Sequence, residues 1–336
     1  MLNPLMYVAA NGFEAARQLT RAADCRARLH GHSFRVEAAS GTLDSARLVN
    51  ALQAAVSPLN YTDLNRLLTE PDDLSLAQHL HQAVQGAAIR LHSAPGRGAD
   101  ITDQGEQRVW LRVDFAAAHY LPQVAAGHKC GRLHGHTFGV KLTAKAPAHD
   151  HAALERAWLP LYLKLNHAYL NDLAGLDNPT SEVLAGWIWQ QLQPALPELH
   201  SVTVYETATA GSRFDGQQYR IWKEQRFESA VPFDASGRYT GHSYRVALHL
   251  AGTLDTVMGW VEDFGDVKAH FKPIYEQLDH HPLDRLDGIQ ATDCAGISQW
   301  ILTQARPLLP NLCRVDLYAG DDTGVRDARP TGAPSV

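Results

Sequence analysis

The sequence predicts an α+β protein made of three tandem copies of one unit, each combining short strands with a pair of helices. Three markers recur in the same order. The first is Cys130-Gly-Arg-Leu-His134-Gly-His136-Thr-Phe138-Gly-Val140, which returns as Cys25-Arg-Ala-Arg-Leu-His30-Gly-His32-Ser-Phe34-Arg-Val36 and, more weakly, as Tyr239-Thr-Gly241-His242-Ser-Tyr244-Arg-Val246. The second lies upstream: Phe13-Glu-Ala-Ala-Arg17, Phe115-Ala-Ala-Ala-His119 and Phe227-Glu-Ser-Ala-Val231. The third lies downstream: Leu59-Asn60-Tyr61, Leu165-Asn166-His167 and Leu278-Asp279-His280. The spacing is 104 residues from His32 to His136 and 106 from His136 to His242. A fixed period of this kind marks repeated structural units. The units are read as 1–105, 106–218 and 219–336.

Each unit opens with two strands, predicted in the second unit over 108–120 and 136–144. A helix follows, over about 151–165 in unit two and 267–278 in unit three. Pro179-Thr180-Ser181-Glu182 then starts a second helix, because a threonine side chain accepts a hydrogen bond from the first orphan backbone N–H groups. This helix runs through Val183 to Leu192. The strand Ser201-Val-Thr-Val-Tyr-Glu206-Thr207 closes the unit. The stretch from Ser93 to Asp100, with Pro and two glycines, reads as a flexible loop. The tail from Thr323 to Val336, rich in Gly, Pro and Ala, reads as a fraying end.

Composition narrows the function. The chain has 336 residues, of which 45% are hydrophobic and 20% charged, as in ordinary globular proteins. A formal charge of −6 argues against a nucleic-acid partner, which favours a basic face. No apolar run approaches the ~20 residues that span a bilayer. The N-terminus lacks a basic segment followed by an apolar one, so no signal peptide is expected. The four cysteines, Cys25, Cys130, Cys294 and Cys313, form no Cys-x-x-Cys pair, which suits free thiols in a reducing cytoplasm.

Chemistry concentrates in unit two. On a strand, residues two apart share a face, so His134 and His136 present paired imidazoles. Zinc in a catalytic site takes about three protein ligands and keeps one position open. His119, ending the preceding strand, is the expected third. Only unit two keeps all three histidines. Unit one has Arg17 at the first position, whose permanent cation is expected to take the metal's place. Unit three has Val231 and Thr240, leaving one imidazole. Glu206 aligns with His92 and Ala319 in this reading. The Asp-His pair is intact only as Asp279-His280; unit two has Asn166-His167. A carboxylate beside a histidine orients it and raises its basicity, as proton transfer requires. A cysteine near a metal or cation, here Cys130, has a lowered pKa and moves protons itself.

These residues resemble the 6-pyruvoyl-tetrahydropterin synthase superfamily, and within it the bacterial 6-carboxy-tetrahydropterin synthases of the queuosine pathway. The resemblance rests on Phe115–His119, Gly127–His136, Asn178-Pro-Thr-Ser-Glu-Val-Leu-Ala185 and Tyr205-Glu-Thr207, with Gly259-Trp-Val-Glu-Asp-Phe264 and Tyr275-Glu-Gln-Leu-Asp-His-His281 from unit three. The three residues between Cys130 and His134 suit the carboxy branch. The resemblance implies tunnelling-fold units, three of which close a twelve-stranded β-barrel, here an intrachain pseudo-trimer. Two such rings stack in the family, which implies a homodimer. It also implies a Zn2+ ion on His119, His134 and His136. Cys130, Asp279 and His280 are the implied catalytic groups, with His167 as the alternative base. Glu206, Thr180 and Thr207 are the implied contacts to a pterin triphosphate substrate. Unit three is expected to deliver Asp279-His280 to the zinc site of unit two within one chain. The alternatives are a pyruvoyl-forming or aldolase-like pterin enzyme, and a non-catalytic pterin- or zinc-binding protein.

Overall fold

The computed structural model describes residues 4–22, 24–234 and 236–330. Unit one comprises β1 (Leu5–Arg17), β2 (His30–Ser40), α1 (Ser45–Val56), β3 (Thr62–Asp63), α2 (Asp73–Ala83), β4 (Ala88–Ala94) and β5 (Arg97–Ile101). Unit two repeats the order as β6 (Gln107–His119), β7 (His134–Lys145), α3 (His151–Leu165), β8 (Ala168–Tyr169), α4 (Ser181–Leu192), β9 (Leu199–Thr207) and β10 (Ala210–Phe214). Unit three has β11 (Tyr219–Pro232), β12 (Tyr239–Gly252), α5 (Phe264–Leu278), α6 (Cys294–Ala305), β13 (Leu312–Ala319) and β14 (Thr323–Asp327).

Each helix starts at a side-chain cap that satisfies orphan backbone donors. Asp44, Asp72, Asp150, Asp263 and Asp293 do this for five helices, and Thr180 for α4, accepting from Val183 N at 3.1 Å. The alternation of residues along each strand decides the layers. Val202 and Val204 of β9 are fully buried against the helices, while Thr203 and Tyr205 face the interior of the ring. Three separate hydrophobic cores result, one between each four-strand sheet and its helix pair.

The strands run β14-β13-β12-β11-β10-β9-β7-β6-β5-β4-β2-β1, and β14 pairs back onto β1. The ring is therefore a closed barrel of twelve antiparallel strands, which leaves no open sheet edge. Both segments expected to be mobile are seams of this barrel. Ser93 to Asp100 is a hairpin joining β4 to β5, and β5 then pairs with β6 of the next unit. Its glycines serve close approach: a Cβ at Gly98 would stand 1.9 Å from Leu91 O. Thr323–Asp327 is β14 itself, in register Leu5↔Asp327 to Ala9↔Thr323. Arg329 beyond it is buried and holds Asp327 and Ala295 O. Residues 331–336 of the predicted fraying tail lie outside the described residues.

Candidate active site

His119 is directly opposite His134 in the β6–β7 register, and His136 is two positions further along the same strand. The three imidazoles converge, with one nitrogen from each within 4.8 Å of the others. Their tautomers are set from behind. The Nδ1 of His119 is 3.0 Å from Pro179 O, and that of His134 is 2.7 Å from Arg132 O. A carbonyl only accepts, so each Nδ1 donates and each Nε2 keeps its lone pair for a cation. The Nε2 atoms of His119 and His136 are buried without any hydrogen-bond partner. Burial pushes the His119 pKa down to about 4 and also lowers that of His136. Neutral imidazole is the ligating form, so this donor set fits a zinc ion.

Unit one shows what replaces it. Arg17 is buried at the position equivalent to His119, opposite His30. Its guanidinium reaches Asp73 Oδ1 at 2.8 Å, Pro71 O at 3.0 Å and His32 Nε2 at 3.3 Å. A fixed cation with its own carboxylate occupies the region where unit two gathers three lone pairs.

A cavity of about 520 Å³ opens beside the histidines. Cys130, Glu206 and Thr207 line it together with His134 and His136. Cys130 sits on a single 3-10 turn, Lys129–Gly131, whose start is held by His128 Nδ1 accepting from Cys130 N. Burial raises the Cys130 pKa, and the Glu206 charge adds to the rise. Glu206 Oε1 lies 3.6 Å from His136 Nε2, and burial raises its pKa to about 7.

The strand register corrects the repeat alignment at this position. Arg35 pairs with His92, Gly139 with Tyr205 and Arg245 with Tyr318. The equivalent of Glu206 in unit one is thus Ser93, one residue beyond His92. Ser93 donates to Asp73 and so belongs to the network around Arg17.

Thr180 does not line the cavity. It is buried, caps α4 and donates to Gly259 O at 2.6 Å. Its neighbours clamp the same segment of unit three: Asn178 Nδ2 donates to Met258 O at 2.7 Å, and Glu182 Oε1 accepts from Val261 N at 3.1 Å. The clamp positions Asp263, Phe264 and Gly265 along the cavity wall. Asp263 Oδ2 comes within 3.7 Å of His128 Nε2. Unit three does face the site of unit two, but through 258–265 and not through Asp279-His280. That pair lies on a different crevice, where His280 stands beside Ser229, Gly241 and His242.

The reason is local. Tyr61, His167 and His280 all have left-handed backbones, with φ of 53°, 63° and 59°. In each, the N–H donates across to the first strand of its own unit, at 2.6 Å from Glu14 O, Ala116 O and Glu228 O. The preceding side chain, Asn60, Asn166 or Asp279, accepts from the backbone N–H of that same residue. His280 and His167 are thereby pinned with exposed side chains, and neither lines the Cys130 cavity. Sequence reasoning assigned no role to Asp263, Lys223 or His128. The motif Gly259–Phe264 was the available signal, but only the fold shows which cavity it borders.

Residues 108–217 and 220–327 each match the family model described as 6-pyruvoyl tetrahydropterin synthase. A Synechocystis protein named 6-carboxy-5,6,7,8-tetrahydropterin synthase is 40% identical over 119 residues, covering 32% of this chain and 91% of its own. A Pyrococcus furiosus protein named dihydroneopterin monophosphate aldolase is 30% identical over 95 residues, covering 27% and 78% respectively. Among solved structures, the Caenorhabditis elegans 6-pyruvoyl tetrahydropterin synthase is similar at a TM-score of 0.31 with 21% identity, over 33% of this chain and 95% of that one.

Proposed function

Since the chain belongs to the 6-pyruvoyl tetrahydropterin synthase family, we propose that the cavity beside Cys130 converts 7,8-dihydroneopterin triphosphate and one water to 6-carboxy-5,6,7,8-tetrahydropterin, releasing acetaldehyde and triphosphate. The observation that carries this reading is the convergence of three imidazoles on the cavity that also holds Cys130 and Glu206. His119, His134 and His136 would hold zinc, which when bound supplies Lewis acidity toward the side-chain oxygens of the substrate. Glu206 accepts hydrogen bonds from the N–H edge of the pterin. Thr207 lies beside it on the same wall. Lys129, Arg132 and Lys223 also line the cavity and supply positive charge for a triphosphate.

Cys130 exchanges a proton at the carbon next to the ring. The remaining protons need a base, and His280 oriented by Asp279 is the proposed one, their contact being 2.9 Å. The pair is exposed and does not line the cavity of its own chain. A second copy of the chain, stacked as a homodimer, is proposed to present it. His167, in the equivalent place of unit two, is the alternative base.

The test is turnover of 7,8-dihydroneopterin triphosphate with product identification, alongside zinc analysis. A 6-carboxy product, lost in Cys130→Ser and Glu206→Gln, supports the reading. A pyruvoyl product or an aldol cleavage product replaces it, and the similarity to an aldolase gives that outcome weight. Metal binding with no turnover on any of these substrates would leave a pterin- or zinc-binding protein instead.

A further inference from the structure

The barrel interior is a second charged cavity, of about 400 Å³, separate from the site above. Eight basic and four acidic side chains line it. Each acid has its own arginine: Glu37 with Arg326, Asp100 with Arg90, Glu224 with Arg245 and Asp316 with Arg314. Of the four other basic side chains, Arg108 pairs with Glu106 and Lys141 lies 3.9 Å from Asp100, which leaves Arg213 and Arg220. All four acids belong to units one and three. Unit two turns no carboxylate into the lumen.

The repeat shows how this arose. The strand register makes Asp100, Arg213 and Arg326 equivalent, and likewise Glu37, Lys141 and Ala247, or Arg90, Thr203 and Asp316. Unit two thus carries Lys141 and Arg213 where unit one carries Glu37 and Asp100. At the seam between units two and three, Arg213 of β10 is directly opposite Arg220 of β11. Like charges in that relation repel and destabilise a sheet. Among the described residues, no carboxylate lies within 4.0 Å of either guanidinium. The buried Nε atoms of Arg220 and Arg108 have no hydrogen-bond partner. Arg213 has one, His200 Nε2 at 3.1 Å, which must accept and so be neutral. Burial and the nearby Arg220 lower the Arg213 pKa to about 10. The hydroxyl residues Thr143, Ser201 and Thr203 line the same wall.

We propose that the lumen wall of unit two is a binding site for a small multivalent oxyanion of the phosphate class, held between Arg213 and Arg220. Guanidinium forks match such oxygens in geometry and charge, and unpaired buried donors are the groups an anion would satisfy.

The probe is sodium pyrophosphate, titrated calorimetrically into the full chain against sodium chloride of equal ionic strength, with sulfate as a further arm. Saturable binding is expected in the wild type. The Arg213→Gln/Arg220→Gln variant is expected to weaken it by at least about tenfold, the scale of a lost charge-assisted bond. Lys129→Gln/Lys223→Gln, which removes phosphate-binding charge from the other cavity, is expected to retain the component of binding that the arginine variant loses. Sulfate binding as tightly as pyrophosphate would show a general oxyanion site at the same arginines. No binding beyond the chloride control, or wild-type binding by the arginine variant, overturns the proposal. Thermal unfolding with and without pyrophosphate provides a check in the single variant Arg220→Gln. Its midpoint without anion is expected to be no lower than wild type, because repulsion is relieved, and its rise with pyrophosphate is expected to vanish. An undiminished rise again overturns the proposal.

Discussion

Asp279→Asn separates a structural role from a chemical one, because the repeat supplies the control. Asp279 Oδ1 accepts from Glu228 N at 2.9 Å. Asn60 and Asn166 make the same bond in their own units, to Glu14 N at 2.9 Å and Ala116 N at 3.1 Å. An asparagine amide oxygen therefore does this work in the same backbone setting. What the substitution removes is the contact to His280, whose side chain is 76% exposed. An ion pair that open contributes at most about 1 kcal/mol. The thermal midpoint is thus expected to fall by under about 4 °C. Turnover of 7,8-dihydroneopterin triphosphate is expected to fall by about 10²–10⁴, the usual contribution of a positioned acid-base group. Asp279→Ala would show both losses, since the Glu228 N–H then also loses its acceptor at a cost of about 1 kcal/mol. Steady-state kinetics and calorimetric melting on the same preparations measure the two effects. Turnover by Asp279→Asn within about threefold of wild type would refute the assignment of this pair as the base.

Three further outcomes are expected. His136→Ala should abolish stoichiometric metal by elemental analysis, from about one zinc per chain, while circular dichroism stays that of the wild type. Arg17→Ala should destabilise the fold by about 3 kcal/mol in denaturant unfolding, because Asp73 is left buried with only a more distant guanidinium, Arg97 at 3.7 Å. Burial raises the Glu182 pKa to about 7, above its ordinary 4.5. The folded state then holds a proton that the unfolded state releases, so stability is fully present below about pH 4.5 and falls as pH rises toward 7. Glu182→Gln keeps a carbonyl acceptor for Val261 N and should flatten that part of the stability profile in melts across pH.

The histidine triad was legible in the sequence because it is local. His134 and His136 are two apart on one strand, and His119 ends the neighbouring hairpin strand, so period-two alternation and one register bring them together. The Asp-His pair was legible as residues but not as geometry. Its place depends on a left-handed residue at 280 and two hydrogen bonds to β11, and composition gives no sign of either. Glycine and proline misled twice, at 93–100 and at 323–327. The first stretch is a tight hairpin and the second is the outer strand of one, β13–β14, and in both the hairpin closes a unit onto its neighbour. The one-residue slip at His92 has another cause: the closing strand lies 70 residues beyond the marker histidine in unit two (His136 to Glu206) and 61 in unit one (His32 to Ser93), so no fixed period reaches it.

Fusion explains why the three units differ in kind and not only in degree. Three identical subunits must change every copy of a site at once, and a charge placed in the lumen appears three times. One chain escapes that constraint. Arg17 with Asp73 replaces an imidazole set in unit one, and Val231 with Thr240 does so in unit three, while unit two keeps its histidines. The same freedom acts inside the barrel. Three symmetric copies of Arg213 facing Arg220 would place six unpaired guanidinium groups around one lumen of about 400 Å³. A single such pair is tolerable because Glu37, Asp100 and Asp316 balance the other seams. If pyrophosphate fails to bind there, the repulsion at that seam must be offset by the ring closure itself. Removing Arg220 would then stabilise the barrel whether or not an anion is present.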